Sequence, residues 1–204
     1  MAPTYKVVYF PLKVLAEPIR FLLSYGEIDF EDIRIERKEW PQSKGKMPFG
    51  QMPVLEVDGK QAHQSIAICR YLAKKVKLNG ADEWEDLQID SVVDTISDLR
   101  KKTAVYYKEK DVIAKEKYKT LLYEEILPYY LERLEKLAKV NNGHFIGGKF
   151  TWADFYFAGL MDTINFLAGK EVINDYPNLQ QVHKNVVNLP AIKAWIEKSP
   201  QSEL

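Results

Sequence analysis

A single cysteine, Cys69, stands among 204 residues. One thiol cannot close an internal disulfide, so no disulfide framework is expected. No stretch approaches the roughly 18 consecutive apolar residues of a membrane-spanning helix. There is no N-x-Ser/Thr acceptor for glycosylation. The opening MAPTYKVVYF has no basic start leading into an apolar stretch, and Lys6 interrupts its one candidate run, so no secretory leader is expected. An excess of either charge is missing too, with 29 Lys and Arg set against 29 Asp and Glu. Zero net charge argues against nucleic acid or an anionic membrane as the main partner, since both favour a basic excess. Repeats and low-complexity segments are absent as well. These absences together point to a cytoplasmic protein with no membrane insertion.

What is present is ordinary for a globular chain: 46% hydrophobic and 28% charged residues, at a length that suits one large domain or two small ones. Two halves follow different patterns. In residues 1–78, YKVVYF (5–10) and FEDIRI (30–35) read as strands. LAEPIRFLLSYG (15–26) reads as a helix, with Pro18 in its first turn and Gly26 as its stop. An irregular stretch (36–51) leads to VLEV, an Asp58-Gly59 hairpin turn, a return strand to about His63, and a helix from about Ser65 to Val76. The order is β-α-β-loop-β-β-α. Residues 83–204 show helical period and no convincing strand, with 79–82 as linker. Trp84, Ile89, Val92, Val93, Ile96 and Leu99 fall mostly on one side of a long helix; Asp90, Asp94 and Asp98 recur on another. A further helix should break near Pro128. Thr151 and Asp154 have the spacing of a capping box, and Asn188-Leu189-Pro190 separates the last two helices.

The seam at Gln64-Ser65 is the most informative point. Ser65 stands where a helix N-cap belongs, and by itself it reads as an ordinary cap. Helix starts also carry unpaired amides and partial positive charge, which suit a carboxylate. Pro53 adds to this. A proline ahead of a strand marks an edge or tight turn, and the backbone beside it is open to pairing with an extended peptide. Amide pairing next to an anion-accepting helix end amounts to a slot for a small peptide bearing a carboxylate.

The strand order up to residue 78, the Met-Pro before the hairpin and HQSIAICRYL after it resemble the glutathione-binding domain of cytosolic glutathione transferases. The helical remainder resembles their second domain. PFGQMPVLEVDGK (48–60), VVDTISD (92–98) and TWADFYF (151–157) are similar to the sigma class in particular, which includes insect enzymes and a vertebrate prostaglandin D synthase. The resemblance implies an α/β thioredoxin-like N-terminal domain, an all-α C-terminal domain and a homodimer. Its co-substrate is glutathione and its partner a small hydrophobic electrophile, such as a lipid-peroxidation product, with hydroperoxide reduction as a further activity. Tyr9, by its residues alone a core aromatic, becomes the catalytic tyrosine whose hydroxyl donates to the glutathione sulfur. Leu15, Trp40, Lys44, Gln51, Met52, Pro53, Gln64 and Ser65 become glutathione-binding positions, with Asp98 supplied by the partner subunit. Phe10, Leu12, Leu15, Leu99, Tyr106, Tyr107, Tyr156, Leu160 and Leu204 become the acceptor pocket.

Two departures bear on specificity. Leu15 stands where the vertebrate synthase has arginine. Ser97 stands where its metal-associated cluster has an acid, beside Asp94 and Asp98, so no metal requirement is expected. Prostaglandin-type endoperoxide isomerisation is therefore the lesser alternative. A non-catalytic carrier or structural protein on the same fold is another. Cys69, without a C-x-x-C partner, reads as a buried structural thiol.

Overall fold

The computed structural model describes residues 3–200. The first unit opens with β1 (Tyr5–Tyr9), α1 (Glu17–Tyr25) and β2 (Phe30–Arg34). It continues through the short helix α2 (Trp40–Ser43), the hairpin β3 (Val54–Val57) and β4 (Lys60–His63), and α3 (Ser65–Lys75). The four strands lie in the order β2-β1-β3-β4. β1 runs parallel to β2 and antiparallel to β3, which pairs antiparallel with β4. A parallel pair needs a crossover, and α1 supplies it. Val7 and Val8 of the central strand are both buried although they point to opposite faces, so the sheet is covered on both sides there. Asp58 and Gly59 have φ of 50° and 79°, the two positive values that a tight hairpin requires. The stretch 36–51 is less irregular than its sequence reads, since it winds through α2 and two further helical turns, Lys44–Lys46 and Pro48–Gly50.

The second unit is entirely helical: α4 (Glu83–Lys108), α5 (Val112–Leu121), α6 (Leu127–Val140), α7 (Trp152–Ala168) and α8 (Pro177–Val187). The expected stripe on α4 is buried from Ile89 to Leu99, but Trp84, its second residue, is 67% exposed. The break expected at Pro128 takes the form of a widened turn, Leu122–Ile126, between α5 and α6. Proline lacks an N–H and clashes with the carbonyl four residues back, here Glu124, and widening the preceding turn accommodates both. Helix α7 is apolar on nearly every side and forms the centre of this unit, packed against α4 and α8.

The last helix, α9 (Pro190–Lys198), follows the Asn188-Leu189-Pro190 break as expected, but it packs on α1 of the first unit. The indole Nε1 of Trp195 donates to Glu17 at 2.8 Å, and its ring meets Phe30 at 5.3 Å. Contacts therefore group the chain from Asn188 onward with residues up to Leu78, and Asn79–Val187 form the second unit, whereas the helical period alone assigns everything from 83 to 204 to one domain. Periodicity shows that a helix has an apolar face and does not show what covers it. The folds are those expected, a thioredoxin-like domain with a four-stranded mixed sheet and an all-helical domain.

Asp154 is fully buried at the start of α7, where it accepts from the Thr151 amide at 2.8 Å and the Phe145 amide at 3.0 Å. Replacing it with alanine strands two buried donors and removes a cap. Asp154→Ala should cost about 2–4 kcal/mol, read as a lower urea midpoint at unchanged slope.

Candidate active site

The first unit gathers most of the implicated residues at one end of its sheet. Tyr9 closes β1 and is 6% exposed. Its carbonyl accepts from the Ile35 amide at 2.8 Å. The preceding residue, Val8, pairs with Val54, so the next position in register faces Pro53. The Met52-Pro53 peptide is cis. Phe10 lies edge-on to Tyr9 at 5.7 Å and to Trp40 at 5.5 Å, making an aromatic row from the strand end to α2.

Gln51 and Gln64 meet across this end, Nε2 of Gln64 lying 3.4 Å from Oε1 of Gln51. Lys44 is beside them. A side chain at Gly50, where φ is +60°, would sit 3.2 Å from Cε of Lys44, so the lysine stem lies along the backbone just ahead of Gln51. Lys44, Gln51, Pro53 and Gln64 thus belong to one edge, with Tyr9 and Trp40 joined to it through register and ring contacts.

The helix start differs from the expected arrangement. The Ile68 amide donates to the Gln64 carbonyl at 3.0 Å, which makes Gln64 the cap residue and Ser65 the first residue inside α3. Gln64 has φ 72° and ψ 103° and makes no side-chain cap bond. Glutamine is not among the favoured caps, and a conformation so rare for a side-chain-bearing residue costs on the order of 1–3 kcal/mol. The geometry gains two things. Ser65 is turned inward, 8% exposed, and the first-turn amides of α3 stay without intrahelical acceptors. With Lys74 and Lys75 in its last turn, α3 carries its acceptor need at the end where Gln64 and Ser65 lie. A carboxylate is the group that such an end takes up.

Val14 is a second strained point, with φ 35° in the turn that follows Tyr9 and holds Leu15. This turn is tied down from below. The buried Arg20 donates from Nη1 to the Leu12 carbonyl at 2.8 Å and to Glu17 at 3.1 Å, and from Nε to Asp32 at 2.9 Å. Reading the sequence did not single out this hub. Its signal was a charged pair, Glu17 and Arg20, inside the otherwise apolar EPIRFLLSY.

The remaining positions each fall within one unit or the other. In the second unit Leu99, Tyr156 and Leu160 are buried, Tyr106 is half-buried and packs toward Tyr123, and Tyr107 is 48% exposed against Phe166. Asp98 is exposed and pairs with Lys101 at 2.9 Å. Leu204 lies outside the described residues. Phe49, at φ 51°, is 84% exposed and stacks on His63. Among the described residues no three His, Cys, Asp or Glu side chains gather as metal ligands would, and no helix is long and apolar enough to cross a membrane.

Comparison with known proteins gives this arrangement a family. Residues 3–74 match the N-terminal domain of glutathione S-transferases, and 97–199 match their C-terminal domain. A glutathione S-transferase of Anopheles gambiae is 53% identical over 202 residues, covering 99% of this chain and 100% of that one. The hematopoietic prostaglandin D synthase of Mus musculus is 40% identical over 205 residues, again 99% and 100% of the two chains. A structure of prostaglandin synthase D of Nilaparvata lugens superposes with a TM-score of 0.92 at 45% identity, covering 98% of this chain and all of that one. The chain belongs to the glutathione S-transferase family. Within it, the protein is an enzyme, a glutathione transferase with glutathione as its substrate.

The attacking sulfur is therefore not the chain's own. Cys69 is completely buried in α3, and burial pushes its thiol far above the usual range, with Arg70 opposing only weakly. Native protein should react with a disulfide reagent at least about a hundredfold more slowly than the urea-unfolded chain, measured by thionitrobenzoate release.

Proposed function

We propose that this transferase is of the sigma class, that it activates glutathione through Tyr9, and that it adds the thiolate to small hydrophobic electrophiles such as lipid-peroxidation products, with hydroperoxide reduction alongside. The observation that carries this reading is the helix start at Gln64-Ser65, strained and acceptor-poor, on the same sheet end as Tyr9. The peptide's γ-glutamyl carboxylate takes the α3 amides and Ser65. Its backbone pairs beside Met52, with Gln51 and Gln64 on either side. Its glycyl end lies toward Trp40 and Lys44. Leu15 lines the neighbourhood of the sulfur, and Asp98 comes from the partner in a cytoplasmic homodimer.

Seated this way, the thiol lies at the end of β1. A free thiol has a pKa near 8.5 and is mostly protonated at neutral pH. Lowering that by two pH units takes about 2.7 kcal/mol of preference for the anion. A hydrogen bond to a charged group supplies about 1.5–3 kcal/mol, so one hydroxyl from Tyr9 accounts for most of it. Tyr9 donates and keeps its proton. It need not act as a base. The sulfur lone pair then forms the new bond to the β-carbon of an unsaturated carbonyl, whose C=C π pair shifts toward the carbonyl oxygen and is protonated from solvent. With a hydroperoxide the new bond is to a peroxide oxygen, as the O–O bond breaks and the released alkoxide takes up a proton.

Isomerisation of a prostaglandin-type endoperoxide is the second reading, favoured by the likeness to the mouse and planthopper prostaglandin synthases. Leu15 and Ser97 weigh against it, since each lacks the charged group that the vertebrate synthase carries there.

The test is the ultraviolet difference spectrum of bound glutathione against pH. In the native enzyme the thiolate band should titrate about two pH units below the free thiol. Tyr9→Phe should move it back up by about one to two units and lower turnover at neutral pH by about ten- to a hundredfold. Saturable binding without a low-pH thiolate would refute the mechanism. Ser65→Ala should leave the thiolate midpoint in place while weakening glutathione about tenfold, read by calorimetric titration.

A further inference from the structure

The even charge of the whole chain hides an uneven distribution. Residues 100–119, covering the end of α4, the corner after it and most of α5, hold eight lysine and arginine side chains against three acidic ones. Those three acids are engaged locally. Glu109 accepts from the amides of Lys110 and Asp111 at 2.8 and 2.9 Å. Asp111 caps α5 by accepting from the Ala114 amide at 2.8 Å, and Glu116 lies 3.6 Å from Lys119. Lys108, Lys110 and Lys117 are exposed and have no carboxylate partner among the described residues.

Beside these free cations the chain leaves aliphatic side chains in water. Val112 is 75% exposed, Ile113 83%, and Val105, one turn before Lys108, 50%. Single exposed apolar residues are common and mean little. Here they adjoin, and the packing of α5 directs them outward. Tyr118 donates to the Lys102 carbonyl at 3.3 Å and Lys115 lies over the Tyr106 ring at 5.2 Å, which fixes the inner side of α5. Ile113 and Lys117, one helical turn apart, therefore share its outer side.

Aliphatic tips ringed by unpaired lysines suit a surface that is anionic outside and apolar just beneath. A nucleic acid would engage the lysines and gain nothing from Val112 and Ile113. We propose that the α4–α5 corner is a peripheral docking site for anionic phospholipid bilayers, with Lys108, Lys110 and Lys117 against the headgroups and Val112 and Ile113 reaching between them. The chain does not span the bilayer; it rests on one face. The inference is independent of which electrophile the enzyme uses.

Cosedimentation tests it, with vesicles of phosphatidylcholine alone or mixed one to one with phosphatidylserine. The enzyme should sediment with the mixed vesicles, remain free with phosphatidylcholine, and be released by high salt. The triple variant Lys108→Glu/Lys110→Glu/Lys117→Glu and the single variant Ile113→Asp should each weaken partitioning about tenfold or more. Both should keep native turnover of a small soluble electrophile, which verifies their folding. Absent cosedimentation or equal binding to the two vesicle types would overturn the proposal. So would native binding by the lysine variant. Native binding by Ile113→Asp beside loss in the lysine variant would mark a general polyanion patch and overturn it as well.

Discussion

The first unit depends on one buried guanidinium. Arg20 has no exposure, and it joins α1 to β2 through Asp32 and to the turn after β1 through the Leu12 carbonyl. Its neighbour Glu17 continues the chain of bonds to Trp195 on α9. Arg34 adds a second cation on Asp32 at 2.8 Å. Burying such charges carries a desolvation cost that attraction does not always repay, so their value lies less in net stability than in geometry. A guanidinium presents its donors in a rigid plane, and partners on several elements must all fit it at once. The turn carrying Val14 and Leu15 is thereby held against the end of the strand that ends in Tyr9.

On that frame the helix start at Gln64 can tolerate an unfavourable backbone. Such strain persists only where the surroundings over-determine it, and here the hairpin on one side and the buried face of α3 on the other do so. The result is a helix end without a side-chain cap of its own, its first-turn amides left without intrahelical acceptors. Filling those amides with an internal group would stabilise the helix and close the site to a ligand. Stability and binding compete for the same donors. The second unit shows the opposite choice at α7, where a reciprocal Thr151–Asp154 capping box occupies the helix start from within.

Much of this was legible in residues. The Asp58-Gly59 turn, the break at Asn188-Leu189-Pro190 and the Thr151/Asp154 pair all follow from local chemistry. So does the interest of Pro53, Gln64 and Ser65, which lie close together in sequence. The less legible features involve distant partners. Nothing near Trp195 indicates that its indole reaches Glu17, so helical period alone does not place α9 against α1. Trp84 reads as core by its type and place, yet it sits at a helix start with nothing packed over it. The basic corner at 100–119 is visible as letters, but only the folded structure reveals that its acids are engaged while Lys108, Lys110 and Lys117 have no carboxylate partner among the described residues.

The sequence by itself determined the strands and the long helices, though not the short helical turns of 36–51, because capping, turn formation and periodicity act within a few residues. Tertiary structure alone decided that Gln64, not Ser65, caps α3. It decided too that Gln51 and Gln64 touch, that Lys44 lies along Gly50, and that Arg20 anchors the turn after Tyr9. Each of these sets a side chain against a backbone distant from it in the chain or into a backbone angle that no local preference selects. Contacts of that kind exist only once the sheet has paired and its helices have closed over it.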